Sequence, residues 1–162
     1  MILSDRSIKD LILNHKLGII NPFNILDLQP NSYDMHLDDT LKTLHGKTID
    51  LSEQSYKLKP NEFLLGSTLE KVNIPLDIVG HVDGKSSIGR LGVFIHVSSG
   101  FIDSGFRGNI TLEIYNASDM EFELEYGMPI CQLILETLTT PVENPYDGHY
   151  QDSEGVVDSW LK

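Results

Sequence analysis

One stretch of the chain, Asp83 to Asn116, holds nearly every side chain that could do chemistry. It reads DGKSSIGRLGVFIHVSSGFIDSGFRGNITLEIYN. Lys85, Ser86, Ser87 and Arg90 follow a glycine-bounded turn at Asp83-Gly84. Hydroxyls, backbone N–H groups and a planar guanidinium packed this closely suit a phosphate. A solvated surface turn is the plainer reading of the same serines. Further on, Ile110 to Tyr115 alternates strictly between apolar and polar residues. On a strand, Ile110, Leu112 and Ile114 then face the core, and Thr111, Glu113 and Tyr115 face the other way. Glu113 is therefore a carboxylate on a β-surface, a position from which it can move protons. Paired with a cation such as Arg107 it would be structural instead. Asp103 either caps the turn before Ser104-Gly105 or offers its carboxylate to a ligand.

The elements that must hold these groups are short. Ser4 can cap a helix with Asp5 in its first turn, and Ile8, Leu11, Ile12 and His15 fall at helical spacing. The spacing predicts one amphipathic helix over Asp5 to Lys16, ended by Gly18 and covering an open end of a sheet. From Asn21 onward the chain breaks into segments rich in Ile, Val, Leu, Phe and Thr, punctuated by Pro, Gly, Asn and Asp. Strands are expected at Tyr33–Leu37, Thr40–Leu44, Phe63–Leu69, Ile78–Val82, Val93–Val97, Ile110–Tyr115, Glu121–Tyr126 and Ile130–Leu138. So many short strands predict a mainly β fold, a sandwich or jelly-roll-like barrel. After Leu138 the periodicity collapses. Residues 141–162 read as an irregular tail, yet Tyr146, His149, Tyr150, Gln151 and Trp160 give it recognition chemistry that a frayed end does not need.

At 162 residues the chain is expected to form a single domain, 1–162, with a real core. Its formal charge of −12 argues against binding a nucleic-acid polymer through its backbone. A single triphosphate is still within reach if the few cations are concentrated and Mg²⁺ helps. The lone cysteine, Cys131, excludes an internal disulfide and a multi-cysteine zinc site, and its apolar run marks it as a buried thiol. The six histidines show no metal-ligand spacing. No stretch is long or apolar enough to span a membrane, and the first residues do not resemble a signal peptide, so the expected location is cytoplasmic.

GKSSIGRLG, HVSSGFIDSGFRG and ITLEI, in that order, resemble the dCTP deaminases of the dUTPase-like superfamily. The likeness extends to ILSDRSIKDLI at the start, QPNSYD at 29–34, FLLGSTLE at 63–70, GMPICQL at 127–133 and Pro145-Tyr146, and so spans nearly the whole chain. It implies a distorted jelly roll of the β-clip kind with an N-terminal helix, a homotrimer with sites between subunits, and residues 141–162 as a lid over bound nucleotide. Zinc nucleobase deaminases carry H-x-E…P-C-x-x-C, which is absent here. A deaminase of this sequence is expected to work without zinc, with a carboxylate handling the water proton. The resemblance assigns that role to Glu113, where plain trimeric dUTPases carry an apolar residue. It implies catalytic roles for Ser86, Arg90 and Asp103 as well: Ser86 at the attacked water, Asp103 at the sugar 3′-hydroxyl. Nucleotide contacts are implied for Lys85, Ser86, Ser87, Ile88, Gly89, Arg90, Asp103, Thr111, Leu112, Glu113, Gln132, Tyr146, His149 and Gln151, with Mg²⁺ on the triphosphate of dCTP or dUTP.

Gly100-Phe101 stands where deaminase-only relatives have His-Arg, and resembles members that also split the triphosphate. The expected reaction is therefore dCTP to dUMP, ammonia and diphosphate. Deamination to dUTP alone, a pyrophosphatase without deamination, and a non-catalytic β-sandwich binding module are the alternatives. Two departures bear on this. Ser99 replaces an alanine beside the water site. The tail is shortened, with His149 where a phosphate-binding lysine and Ser153 where a glutamine would stand.

Overall fold

The computed structural model describes residues 1–14, 18–98 and 100–161. Its elements in chain order are α1 (Asp5–Leu13), β1 (Ile20–Asn21), a 3₁₀ turn (Ile25–Asp27), β2 (Leu28–Gln29), β3 (Ser32–His36), β4 (Thr40–Thr43), β5 (Thr48–Asp50), β6 (Tyr56–Leu58), β7 (Phe63–Asn73), β8 (Ile78–Gly84), α2 (Ser86–Gly89), β9 (Val93–Phe94), β10 (Phe101–Ile102), β11 (Arg107–Asn116), β12 (Phe122–Leu124) and β13 (Pro129–Thr137). One sheet runs β5-β4-β7-β11-β9, with β1 also on β7; a second runs β10-β8-β13-β3-β2; β12 and β6 form a small ribbon. The mainly β reading holds.

The two large sheets bury their alternate residues against each other, as strands of period two must. Leu64, Leu112 and Ile114 of the first sheet, and Tyr33, Met35, Leu133 and Leu135 of the second, are essentially inaccessible. Cys131 is inside the same core, and burial pushes its thiol well above the usual range, as expected of an inert cysteine. Ser4 caps α1 by accepting from the Ser7 N–H, and Ile8 is fully buried. The helix ends at Leu13, short of the expected Lys16, and Leu13 is already half exposed. The expected contributions of His15 and Lys16 lie outside the described residues. The N-terminus continues the second sheet where β3 stops, with the Leu3 N–H on the Leu135 carbonyl at 2.8 Å.

The β7–β11 pair carries the site and is irregular in one place. Its register shifts between Asn109 and Thr111, opposite Ser67 and Lys71. The Asn109 amide nitrogen donates to the carbonyls of Thr68 (2.8 Å), Leu69 (3.3 Å) and Glu70 (3.4 Å), and the Thr68 hydroxyl accepts from the Ile110 N–H at 3.0 Å. Both side chains are buried, and each takes up backbone groups that the broken ladder would otherwise leave unpaired. A bulge of this kind re-aims the residues beyond it. Here those are Thr111 and Glu113.

Candidate active site

Beyond the bulge, Thr111 and Glu113 face out of the sheet, while Leu112 points into the core. The outward face is the floor of a cavity of ≈ 480 Å³. Glu113, Asp103, Thr111 and Phe101 line it together with Tyr146 from the tail, and Leu44, Phe63 and Leu65 supply an apolar wall. That mixture, mostly apolar with a few convergent polar groups, suits a small molecule such as a nucleoside.

Glu113 Oε2 accepts from the Ser98 N–H at 3.0 Å and from the Ser98 hydroxyl at 3.3 Å. The alternative partner, Arg107, is engaged elsewhere. Its guanidinium makes a two-pronged pair with Asp152, Nε to Oδ1 at 2.9 Å and Nη2 to Oδ2 at 3.0 Å. That contact holds Asp152 below the ordinary carboxylate range and raises Arg107. Ser98 reaches Glu113 because the strand expected at Val93–Val97 stops at Phe94. The chain turns there instead of extending the ladder, with Ile95 still buried and His96 on the cavity wall. The His96 Nδ1 is buried with no partner among the described residues. Ser99, the expected departure beside the water site, lies outside the described residues.

Gly100 follows. Its carbonyl accepts from the Val82 N–H at 2.7 Å, and a Cβ there would sit 2.4 Å from the Val82 oxygen. Only glycine allows β10 to lie this close to β8, and the residues after it, Phe101 and Asp103, take their places at the cavity from that approach. Phe101 is largely exposed at the rim.

The tail has no regular element, yet it is closely docked. Asn109 N–H donates to the Ser153 carbonyl (3.0 Å), the Ser153 hydroxyl donates to the Asn109 carbonyl (2.7 Å), and Gly155 N–H donates to Asn109 Oδ1 (3.1 Å). Gly108, at φ +136°, makes room: a Cβ would meet the Ser153 hydroxyl at 2.5 Å. The Val157 N–H donates to the Thr111 hydroxyl at 3.1 Å, and Val156 is buried. Lys71–Glu154 (2.8 Å) and Lys42–Asp158 (3.6 Å) add two more ion pairs. Tyr146 packs edge-on against Phe106 at 5.7 Å. Gln151 spends its amide on Gly105 and Tyr146 carbonyls and accepts from the Arg107 N–H, so it braces the tail. His149 stacks on Trp160 at 4.4 Å, away from the cavity lining.

The remaining expected residues form a second group. Ser86, Ser87, Ile88 and Gly89 make the single turn α2, with Lys85 as its N-cap and Arg90 as its C-cap. None of them lines the cavity of the same chain. Ser86, Ser87 and Arg90 are exposed, and Arg90 pairs with no carboxylate among the described residues. Ile88 and Leu112 are buried, so their side chains are closed to a ligand. Gln132 and Lys85 both go to Asp34, at 3.3 and 2.5 Å. Sequence reasoning did not single out Ser98, Asn109 or Asp34 for the site. Ser98 read as a turn, and the roles of the other two depend on cross-strand register. Among the described residues no group of three or more His, Cys, Asp or Glu could hold a metal ion, and no helix is long and apolar enough to cross a membrane.

Comparison with known proteins bears on the family and the fold. The family model for dCTP deaminase-like proteins matches residues 2–138. Proteins named dCTP deaminase, dUMP-forming, are similar over almost the full length. The one from Persephonella marina is 38% identical over 175 residues, covering 98% of this chain and 96% of its own. The one from Aquifex aeolicus is 39% identical over 171 residues, covering 98% and 94%. Among solved structures, the 2′-deoxycytidine 5′-triphosphate deaminase from Agrobacterium tumefaciens superposes with a TM-score of 0.71 at 22% identity, over 83% of this chain and 48% of that one. The native EIAV dUTPase does so with 0.54 at 20%, over 82% and 93%. On the family match and the full-length relatives, the chain belongs to the dCTP deaminase-like family.

Proposed function

We propose that this protein is a dUMP-forming dCTP deaminase, converting dCTP and two waters to dUMP, ammonia and diphosphate. The observation that carries the reading is Glu113, set on the cavity floor, with Ser98 rather than a cation holding one of its oxygens. In the first step water attacks C4 of cytosine. Glu113 takes the water proton and delivers one to N3, giving a tetrahedral carbon. The remaining proton of the C4 hydroxyl then passes by way of Glu113 to the exocyclic nitrogen, the C4 carbonyl forms, the C4–N4 bond breaks and ammonia leaves. In the second step water attacks the α-phosphorus in line, and the bond to the bridging oxygen of the diphosphate breaks. Asp103 lines the same cavity, and in this reading it holds the sugar and that water. Gly100 supports the second step, because a side chain at this position would force the loop away from Val82 and shift Asp103.

Ser86, Ser87 and Arg90 are assigned to the triphosphate, with Arg90 offering an uncommitted fork. Since they do not line the cavity of their own chain, the site is completed in a homotrimer, α2 of one copy facing the cavity of the next. Mg²⁺ would arrive on the triphosphate and neutralise its charge; no carboxylate cluster among the described residues would hold it alone. Zinc takes no part in this scheme, and the location is cytoplasmic. The test is ammonia release from dCTP by the purified protein, with its mass measured by light scattering. Turnover by a trimer is expected; no ammonia from dCTP would refute the reading.

A further inference from the structure

The Lys85 side chain, expected at the phosphates, is already spent. Its ammonium donates to Asp34 Oδ2 at 2.5 Å, and both side chains are largely buried, 20% and 11% exposed. Asp34 sits on β3, directly across from Gln132 of β13, whose other neighbour is Asp83 of β8. Lys85 therefore reaches over β13 to β3. Asp34 also accepts from the Gln132 amide at 3.3 Å and from the Gln29 amide at 3.2 Å. One buried carboxylate thus gathers three donors from three separate segments.

The backbone of Lys85 is fixed as well. Its N–H donates to the Ile130 carbonyl at 3.4 Å, and its carbonyl accepts from Ile88 (3.0 Å) and Gly89 (2.9 Å). Those two bonds, with the Arg90 N–H on the Ser86 carbonyl at 3.0 Å, close α2. A four-residue turn has too few internal bonds to hold itself in place, so its placement comes from two anchors, the Lys85 tie at its start and the buried Ile88 side chain within it. Arg90, at the far end of the turn, is bonded to it through that backbone N–H, and its side chain is exposed.

We propose that Asp34 is a positioning residue for the triphosphate-binding turn, acting through Lys85, and that Lys85 anchors α2 rather than contacting phosphate. The proposal rests on the assignment of Ser86, Ser87 and Arg90 to the triphosphate. A charge taken from water is held only by a charged or multiply bonded partner. Asp34 supplies both, and the rigid turn then presents Ser86, Ser87 and Arg90 without further ordering when nucleotide binds.

The test compares Asp34→Asn, Lys85→Met and the double variant in steady-state kinetics with dCTP, beside the inhibition constant of dCMP, which lacks the outer phosphates. Thermal melts check folding, and Lys85→Arg serves if Asp34→Asn fails to fold. Each single variant should raise the dCTP KM roughly two- to thirtyfold. The change in kcat should be much smaller, and dCMP inhibition should be unaltered. The double variant should be no worse than either single one, because both break the same tie. Lys85→Arg should keep the wild-type KM while Asp34 is present. If Asp34→Asn leaves or lowers the KM while Lys85→Met raises it, Lys85 is a phosphate ligand restrained by Asp34, and the proposal fails. Additive effects, or equal losses for dCMP and dCTP, would also overturn it. A wild-type protein that neither binds nor turns over dCTP would instead bring down the function proposed above, and this inference with it.

Discussion

Glu113 accepts two hydrogen bonds on one oxygen from a single residue, Ser98, through its backbone N–H at 3.0 Å and its hydroxyl at 3.3 Å. The pair orients the carboxylate without neutralising it by a cation. Glu113→Gln keeps the shape and the acceptor oxygen but cannot take a proton. Ammonia release from dCTP should fall by about 10²–10⁴-fold, the usual cost of losing general acid–base catalysis. The melting temperature should stay close to wild type. Near-normal deamination by the folded variant would remove Glu113 from the chemistry.

Deleting the chain from Tyr146 takes away Tyr146, Tyr150, Ser153, Val157 and Ser159 from the cavity wall, together with the bonds to Asn109 and Thr111. Every strand pair of the two sheets is made without those residues, which add only the isolated Gly108–Ser153 bridge. Turnover should drop by about 10²-fold or more, as it does when an active-site surface is misplaced, while the far-ultraviolet spectrum and a cooperative melt are retained. Full activity in the truncated protein would make the tail a bystander.

The tail is also held by charge, which gives its docking a pH dependence. Arg107 hydrogen-bonds Asp152, and Lys71 hydrogen-bonds Glu154, and each contact lowers the carboxyl below its ordinary value. A group with a depressed folded pKa contributes attachment above its ordinary value of about 4, and that contribution is lost as pH falls through the lowered value. Tail protection, followed by hydrogen exchange at the Val157 amide or by limited proteolysis, should therefore hold at neutral pH and fade in acid. Added salt should weaken it in the same direction, since both pairs are exposed. Protection independent of both pH and salt would show that Asn109 and Val156 hold the tail without help.

Much of this was legible in the sequence because alternation is a local property. Ile110, Leu112 and Ile114 announce a core face, and so place Glu113 and Thr111 on the other. The bulge before them was not legible. It depends on the Asn109 amide meeting three carbonyls of β7, about 40 residues earlier in the chain. Ser98 was hidden for a related reason, since a turn serine carries no sign of the strand it will face. The short strands β5 and β6 lack enough residues for a pattern, and pairing across the chain defines them. The tail looked irregular and is irregular. Its docking rests on Lys42, Lys71, Arg107 and Asn109, whose partners no local window contains.

The most direct measurement is the product ratio from the first turnovers of dCTP, separated by ion exchange. Gly100 lets the loop before Asp103 lie against Val82, and Asp103 and Glu113 then share one cavity. In the proposed reaction both hydrolytic steps proceed there without release of the intermediate. The account predicts dUMP and diphosphate in equal amounts with ammonia, and little free dUTP at any time. Accumulating dUTP, with added dUTP left uncleaved, would contradict it and leave a deaminase alone. Formation of dCMP in place of dUMP would contradict it from the other side, by showing phosphate chemistry without deamination.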